Sequence, residues 1–342
     1  MLDGHGDDIY NSPSGIVANF SSNVWYGGCR PELSDFLCKH LAKVNYYPEV
    51  IAYSLAKRLE ECHSVAPGSV LVTNGAVEAI YIISQCFAGA QTLIITPSFA
   101  EYEDACQMHR HQLHFDSIDN LCEDYRFKSK LIFFCNPNNP TGHVFSRAVV
   151  EKWISSSPGS VFVLDEAYCG FSLEDSSCLS LISKYSNLLI IRSMTKKFSI
   201  PGLRLGYVVA QPELIGRLLK CKMPWSVNAL AIEAGHFVLN NPEPFALPVK
   251  ELLAETQRFA KEIANIPSVE VLPTSTNFFL CRLAQGTAAE LKSFMLKEYG
   301  ILIRDASNFR GLTPGHFRLS TLDPERNQLF IKALRKWIQR SF

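Results

Sequence analysis

An α/β fold is predicted for this chain: a mostly parallel sheet in a large domain, followed by a smaller α+β domain. Three observations predict it. Short apolar, β-rich runs alternate with amphipathic stretches of helix length between residues 70 and 210. Those runs are strand-length and apolar, as expected of buried strands. After about residue 225 the alternation gives way to long helical patterns and a few short strands.

In chain order, Val70–Thr73, Thr92–Thr96, Leu131–Cys135, Val161–Leu164, Leu188–Ile191 and Leu205–Val209 read as buried strands. Helical patterns at Ala76–Phe87, Phe99–His109, Arg147–Ser155 and Cys178–Tyr185 lie between most of them. A long helical region then spans roughly Asn228 to Ala264. Strands near Val269–Leu272 and Asn277–Arg282, a helix at Ala288–Tyr299, strands at Ile301–Arg304 and His316–Ser320, and a helix from Pro324 follow. The expected division is an N-terminal arm or small-domain segment over 1–40, a large domain over 41–225 and a small domain over 226–342. The arm looks irregular and is expected to wrap onto the small domain or a neighbouring subunit.

The 342 residues are 47% hydrophobic, enough for a substantial core. Lys+Arg and Asp+Glu are 33 each, so the formal charge is zero, which argues against a nucleic-acid partner. A local basic pocket for a small phosphorylated ligand is compatible with that balance. The 11 cysteines form no CxxC pair and no Cys/His cluster at metal spacing, so reduced thiols and no metal site are expected. Met1–Tyr10 is polar and acidic, without a signal-peptide core. The apolar runs are far too short to span a membrane. A soluble, cytoplasmic protein is the expectation.

Four segments fall at predicted strand ends, where ligands bind in such sheets. Thr73-Asn74-Gly75-Ala76-Val77-Glu78 joins a strand to a helix, and its backbone N–H groups suit an anion; an ordinary tight turn reads the same way. Asn136-Pro137-Asn138-Asn139-Pro140-Thr141-Gly142 has two Asn-Pro steps that enforce extended, turn-rich backbone and leave Asn139 free to present its amide. Asp165-Glu166-Ala167-Tyr168 closes an apolar strand with a carboxylate, costly to bury unless paired. A metal and a protonated pyridine nitrogen are both possible partners, but no His or Asp cluster accompanies it for the metal. Lys196, in Ser193-Met194-Thr195-Lys196, is an amine that could attack an aldehyde if its pKa is lowered, with Arg204 eight residues on.

Asn-Pro-x-Asn-Pro-Thr-Gly, Asp-x-Ala-Tyr and Ser-x-Thr-Lys with its distant arginine, in this order, resemble the fold-type I pyridoxal-phosphate enzymes of the aminotransferase class I/II superfamily. The resemblance covers nearly the whole chain. It implies a seven-stranded-type sheet, pyridoxal 5'-phosphate as cofactor, Lys196 as its Schiff-base lysine, and Asp165 as partner of the pyridine nitrogen. Asn139 and Tyr168 are implied on the O3' side of the ring. Gly75, Ala76, Val77, Ser193, Thr195 and Arg204 are implied around the phosphate. Phe99 is implied as the ring-stacking aromatic, with Tyr102 as the other candidate. Tyr47, before Pro48, is implied to reach the neighbouring subunit's phosphate, which makes the protein a homodimer.

Arg318 matches the family's substrate-carboxylate arginine, and its fork suits bidentate binding. Arg304 matches a second arginine of the phosphorylated-substrate branch. Through His5-Gly6 with Ile9, Thr96-Pro97-Ser98-Phe99-Ala100-Glu101-Tyr102, and the segments 200–207, 223–231 and 306–312, the chain resembles most the threonine-phosphate decarboxylases of cobalamin biosynthesis, and next the histidinol-phosphate aminotransferases. The first resemblance implies a small phosphorylated amino-acid substrate, with Asn23 and His5 near it. His5 reads equally as part of a loose arm. Two departures stand out: Asn23-Val24-Trp25-Tyr26 replaces the usual Asn-x-Asn-Pro, and Lys197 stands where an aromatic is found. Both put substrate identity, not cofactor chemistry, in question.

Overall fold

The computed structural model describes residues 6–11 and 15–341. The chain opens with a two-residue strand β1 (Ala18–Asn19) and helices α1 (Pro31–Lys39) and α2 (Tyr53–His63). The alternating stretch supplies β2 (Val70–Thr73), α3 (Gly75–Cys86), β3 (Gln91–Thr96), α4 (Glu101–Met108), β4 (Gln112–Ser117), β5 (Leu131–Cys135) and α5 (Arg147–Ser156). It continues through β6 (Val161–Asp165), β7 (Leu188–Ser193), the single turn α6 (Met194–Lys197), β8 (Gly206–Ala210) and α7 (Pro212–Leu219). Next come α8 (Ala229–Asn240), α9 (Val249–Ala264), β9 (Val269–Val271), β10 (Phe278–Leu283) and α10 (Ala288–Tyr299). The chain finishes with β11 (Ile301–Leu302), β12 (Arg304–Asp305), β13 (His316–Ser320) and α11 (Pro324–Ser341).

Seven strands form one sheet in the order β2-β8-β7-β6-β5-β3-β4, parallel except for β8, which runs against both its neighbours. β5, β6 and β8 are buried along their whole length, because helices cover both faces. That burial favours the Val, Ile, Leu and Phe runs seen in the sequence. Register then aligns the functional strand ends: Thr73 and Ser193 both pair with Gly206, and Asp165 pairs with Cys135.

The seventh strand, β4, is absent from the sequence expectation. It is a partly exposed edge strand, and its Gln112, His114 and Asp116 hide any apolar run. Two helical expectations also change. Cys178–Tyr185 forms only a tight turn at Leu179–Leu181. The region from Asn228 to Ala264 breaks between α8 and α9, where Pro242, Pro244 and Pro248 remove N–H donors and clash with a continuous helix.

A second sheet has the order β12-β13-β10-β9 and is antiparallel throughout. β1 pairs with β11, so the N-terminal segment is stitched beside this sheet. Phe20, Phe259, Phe279, Phe317 and Phe330 fill the core there. Leu33 of α1 and Ala231, Ile232 and Val238 of α8 pack instead with the core of the seven-stranded sheet. All eleven cysteines are free thiols. Among the described residues no helix is long and apolar enough to cross a membrane.

Candidate active site

The carboxyl ends of β2, β5, β6 and β7 converge on a cavity of about 100 Å³. Ala76, Val77, Phe99, Asn139, Asp165, Tyr168, Ser193, Thr195, Lys196 and Arg204 line it, together with Tyr102 and Cys135. The four segments singled out in the sequence are therefore brought to one place. Gly75 adopts φ +76°, where a side chain is disfavoured, and an added Cβ would lie 2.5 Å from the Arg204 guanidinium. The arginine thus lies close against the turn that opens α3, its Nη2 nearest. Gly206 lets β8 come close to the same turn, since a Cβ there would meet the Ala76 nitrogen at 2.7 Å.

Asp165 closes β6 with its side chain at the cavity floor. Tyr102 Oη donates to Oδ2 at 2.7 Å and the Ala167 N–H donates to Oδ1 at 2.9 Å. Burial nevertheless pushes this carboxyl up from the usual range. A cation on the cavity side would relieve that penalty. Glu166, by contrast, points behind the sheet, held by Arg192 at 2.5 Å and by the Cys178 N–H at 2.6 Å. The one-turn helix α6 leaves Lys196 on the cavity. Burial, then the charges of Arg318 and Arg204, lower its amine to about 8. About a tenth of it is therefore uncharged at pH 7, and that free amine is the form that attacks an aldehyde.

Burial also pushes the Tyr168 phenol up to about 12. Tyr168 is packed with Trp25, Phe171 and Phe278 in a small apolar cluster. The Trp25 departure thus packs its ring against Tyr168, while its backbone N–H donates to the Lys196 carbonyl at 3.0 Å and its backbone carbonyl accepts from Ser199 Oγ at 2.5 Å. Lys197 lines neither this cavity nor the next, and its amine sits 5.5 Å from the centre of the Phe198 ring.

A second cavity of about 350 Å³ opens from the first and shares Phe99, Asn139, Tyr168, Lys196 and Arg204 with it. Arg304 and Arg318 both line it, and they are register partners on β12 and β13. Arg318 donates to the Asn139 side-chain oxygen and, at 2.7 Å, to the Ser21 carbonyl; its Nε has no hydrogen-bond partner among the described residues. Arg304 donates to the Asp305 carbonyl at 2.6 Å and to Asn308 Oδ1 at 2.8 Å. Neither forms an ion pair among the described residues. Burial lowers each to about 10. Two buried guanidinium groups held by neutral acceptors make a receptor for two anionic groups.

Asn23 lies here too, buried, with its amide beside the Tyr168 hydroxyl but completing no hydrogen bond among the described residues. Tyr47 lies outside the cluster, 85% exposed, with its ring 5.4 Å from that of Trp225. His5 falls outside the described residues. The sequence reading missed the Tyr102–Asp165 bond, the Ser21 carbonyl and Asp7, which lines the second cavity. Tyr102 carried a weak signal as an aromatic on α4. A backbone carbonyl carries none.

The class I and II aminotransferase family matches residues 30–334, and the chain belongs to that family of pyridoxal-phosphate-dependent enzymes. Among solved structures, L-threonine-O-3-phosphate decarboxylase from Porphyromonas gingivalis is 41% identical, with a TM-score of 0.91 over 94% of this chain and 100% of that one. Histidinol-phosphate aminotransferase from Caldanaerobacter subterraneus is 33% identical over 86% of this chain and 84% of that protein. Threonine-phosphate decarboxylase from Salmonella typhimurium is 29% identical over 95% and 92%. The residues present fit the cofactor: a buried amine with lowered pKa, a buried carboxylate whose pKa stays raised despite two hydrogen bonds, and a glycine turn backed by an arginine.

Proposed function

We propose that the protein decarboxylates L-threonine O-3-phosphate to (R)-1-amino-2-propanol O-2-phosphate and CO2, a reaction of cobalamin biosynthesis. The observation that carries this reading is the Arg304–Arg318 pair, two buried cations that open on the same cavity as Lys196. Threonine phosphate carries on one molecule the two anions that such a pair takes, whereas histidinol phosphate has no carboxylate and would leave the second arginine to a dicarboxylate co-substrate. The 41% identity to the Porphyromonas gingivalis decarboxylase supports the same choice.

Lys196 would hold the cofactor. Asp165 would keep its pyridine nitrogen protonated, and Asn139 and Tyr168 would face its ring oxygen. Phe99 would cover the ring. The Gly75, Ala76 and Val77 backbone, Ser193, Thr195 and Arg204 would hold the phosphate. When bound, pyridoxal phosphate supplies an electron sink for the bond broken at the substrate's Cα. Arg318 takes the carboxylate and Arg304 the phosphate, and two fixed anchors orient the substrate and so select which bond breaks. The Lys196 amine is the proton carrier that serves Cα. A homodimer accounts for Tyr47, since Tyr46, Tyr47, Tyr53, Met223 and Trp225 are all exposed apolar residues.

A second reading, histidinol-phosphate aminotransferase, is favoured by the 33% identical relative. The test incubates pyridoxal-phosphate-loaded protein with L-threonine O-3-phosphate and no keto acid. Release of CO2 is expected. No release, with glutamate formed from 2-oxoglutarate when histidinol phosphate is offered, would transfer the protein to the aminotransferase branch.

A further inference from the structure

Lys222 lies just past α7, and its side chain is 1% exposed. An ammonium group buried to that degree needs a charged or strongly polar partner. It donates to Ser226 Oγ at 2.6 Å and lies 3.2 Å from Glu78 Oε2. The same Oε2 accepts the backbone N–H of Asn74 at 2.5 Å. Asn74 directly precedes Gly75, so one carboxylate oxygen ties the turn that opens α3 to a buried cation.

Glu78 is oddly placed for an anion receptor. In the first turn of α3 a carboxylate complements the helix dipole. A phosphate brought to the same backbone amides is repelled by it. Arg204 faces the turn from the cavity side, and Lys222 adds a positive charge from behind, out of water where screening is weak. The short segment that carries Lys222 also reaches the other rim of the cup. Asn228 Nδ2 donates at 2.9 Å to the carbonyl of Leu203, the residue before Arg204.

We propose that Lys222 is a positioning residue of the cofactor-phosphate cup: it neutralises Glu78, so that Glu78 fixes the Asn74–Gly75 turn without repelling the phosphate. The inference rests on the reading that the α3 N-terminus takes the phosphate of pyridoxal phosphate. It assigns Lys222 and Glu78 a joint role, which makes the effect of removing one depend on the other.

The test titrates cofactor-free protein with pyridoxal phosphate and with pyridoxal, which has the same ring and aldehyde but no phosphate, and follows absorbance. Lys222→Met should weaken pyridoxal phosphate about tenfold, equivalent to ~1.4 kcal/mol, and shift pyridoxal by less than about twofold. Lys222→Met/Glu78→Gln, with both charges gone, should bind pyridoxal phosphate within about threefold of the unsubstituted protein. Glu78→Gln alone keeps an acceptor for Asn74 and should bind at least as tightly as the unsubstituted protein. An unchanged affinity in Lys222→Met, an equal loss for both ligands, or no recovery in the double variant would overturn the inference. If the unsubstituted protein bound the two ligands equally, the phosphate-cup reading itself would fall.

Discussion

The proposed cofactor side and substrate side of the site meet at Lys196, yet they are built differently. On the cofactor side each group follows directly from a strand end of one sheet, and its neighbours in sequence are its neighbours in space. On the substrate side, Asn23, Arg304 and Arg318 come from opposite ends of the chain and meet only when β12 and β13 pair and the N-terminal segment lies across them. Asp165 is already bonded by Tyr102 and Ala167, whereas among the described residues Arg304 and Arg318 donate to neutral acceptors only. The first region is a finished seat, and the second holds positive charge in reserve for a ligand.

The largest expected effect breaks the shared point. Lys196→Ala should abolish the visible absorbance that the protein gains with pyridoxal phosphate and lower turnover by on the order of 10³-fold or more. An unchanged spectrum in that variant would remove Lys196 from its role.

On the substrate side, Arg318→Ala should reduce kcat/KM by roughly 10²-fold, since a buried charge-assisted contact is lost outright. Arg304→Ala should instead erase the preference for phosphorylated over unphosphorylated threonine, leaving the cofactor spectrum intact. Equal loss of phosphate preference in both variants would deny the division of labour between the two arginines.

Much of this contrast was legible in the sequence. Gly75, Asn139, Asp165 and Lys196 are each signalled by a local pattern: glycine after a strand, paired Asn-Pro steps, a carboxylate closing an apolar run, a lysine beyond the next one. Parallel pairing then brings such ends together without further information. What stayed hidden depends on tertiary placement. β4 is an edge strand whose polar residues carry no apolar run, and Cys178–Tyr185 had helical spacing but closes only one turn. Arg318 taken alone reads as a surface residue on a short strand, and only its pairing with Arg304 makes it a receptor. Tyr102, the second candidate for stacking after Phe99, has its ring on Phe133, 5.2 Å between centres, and its hydroxyl bonded to Asp165.

That last bond gives a smaller test on the cofactor side. Tyr102→Phe leaves the packing in place and takes one donor from the Asp165 carboxylate, so turnover should fall about tenfold. Turnover equal to that of the unsubstituted protein would mean that Ala167 alone suffices to hold Asp165.

The Lys196 amine also makes a pH prediction for the cofactor-free protein. The unfolded chain keeps this proton up to about 10.5, while the folded chain releases it near 8. Between those values the unfolded state binds more protons, so stability rises with pH, and below 8 the penalty of burying the charge is full. Lys196→Met should therefore be the more stable protein at pH 7, with the gap closing as pH approaches 10.5. Denaturant unfolding across that range measures it, and a gap independent of pH would place the perturbed amine elsewhere.

The smallest effect is expected where the two regions are tied at the rim. Arg310, in the turn that also holds Asn308 and Phe309, makes two bonds to Glu103 of α4, at 2.7 and 3.0 Å, and lies 4.0 Å from the centre of the Phe115 ring. The arginine side chain is 50% exposed, so water screens the pair, and such pairs contribute at most about 1 kcal/mol. Arg310→Ala should accordingly change KM by no more than about twofold and leave the spectrum alone. A larger rise in KM with kcat unchanged would mean that the turn carrying Asn308 and Phe309 depends on this tie to hold Arg304 in place. The seat and the charge reserve would then be one mechanical unit rather than two regions that share a lysine.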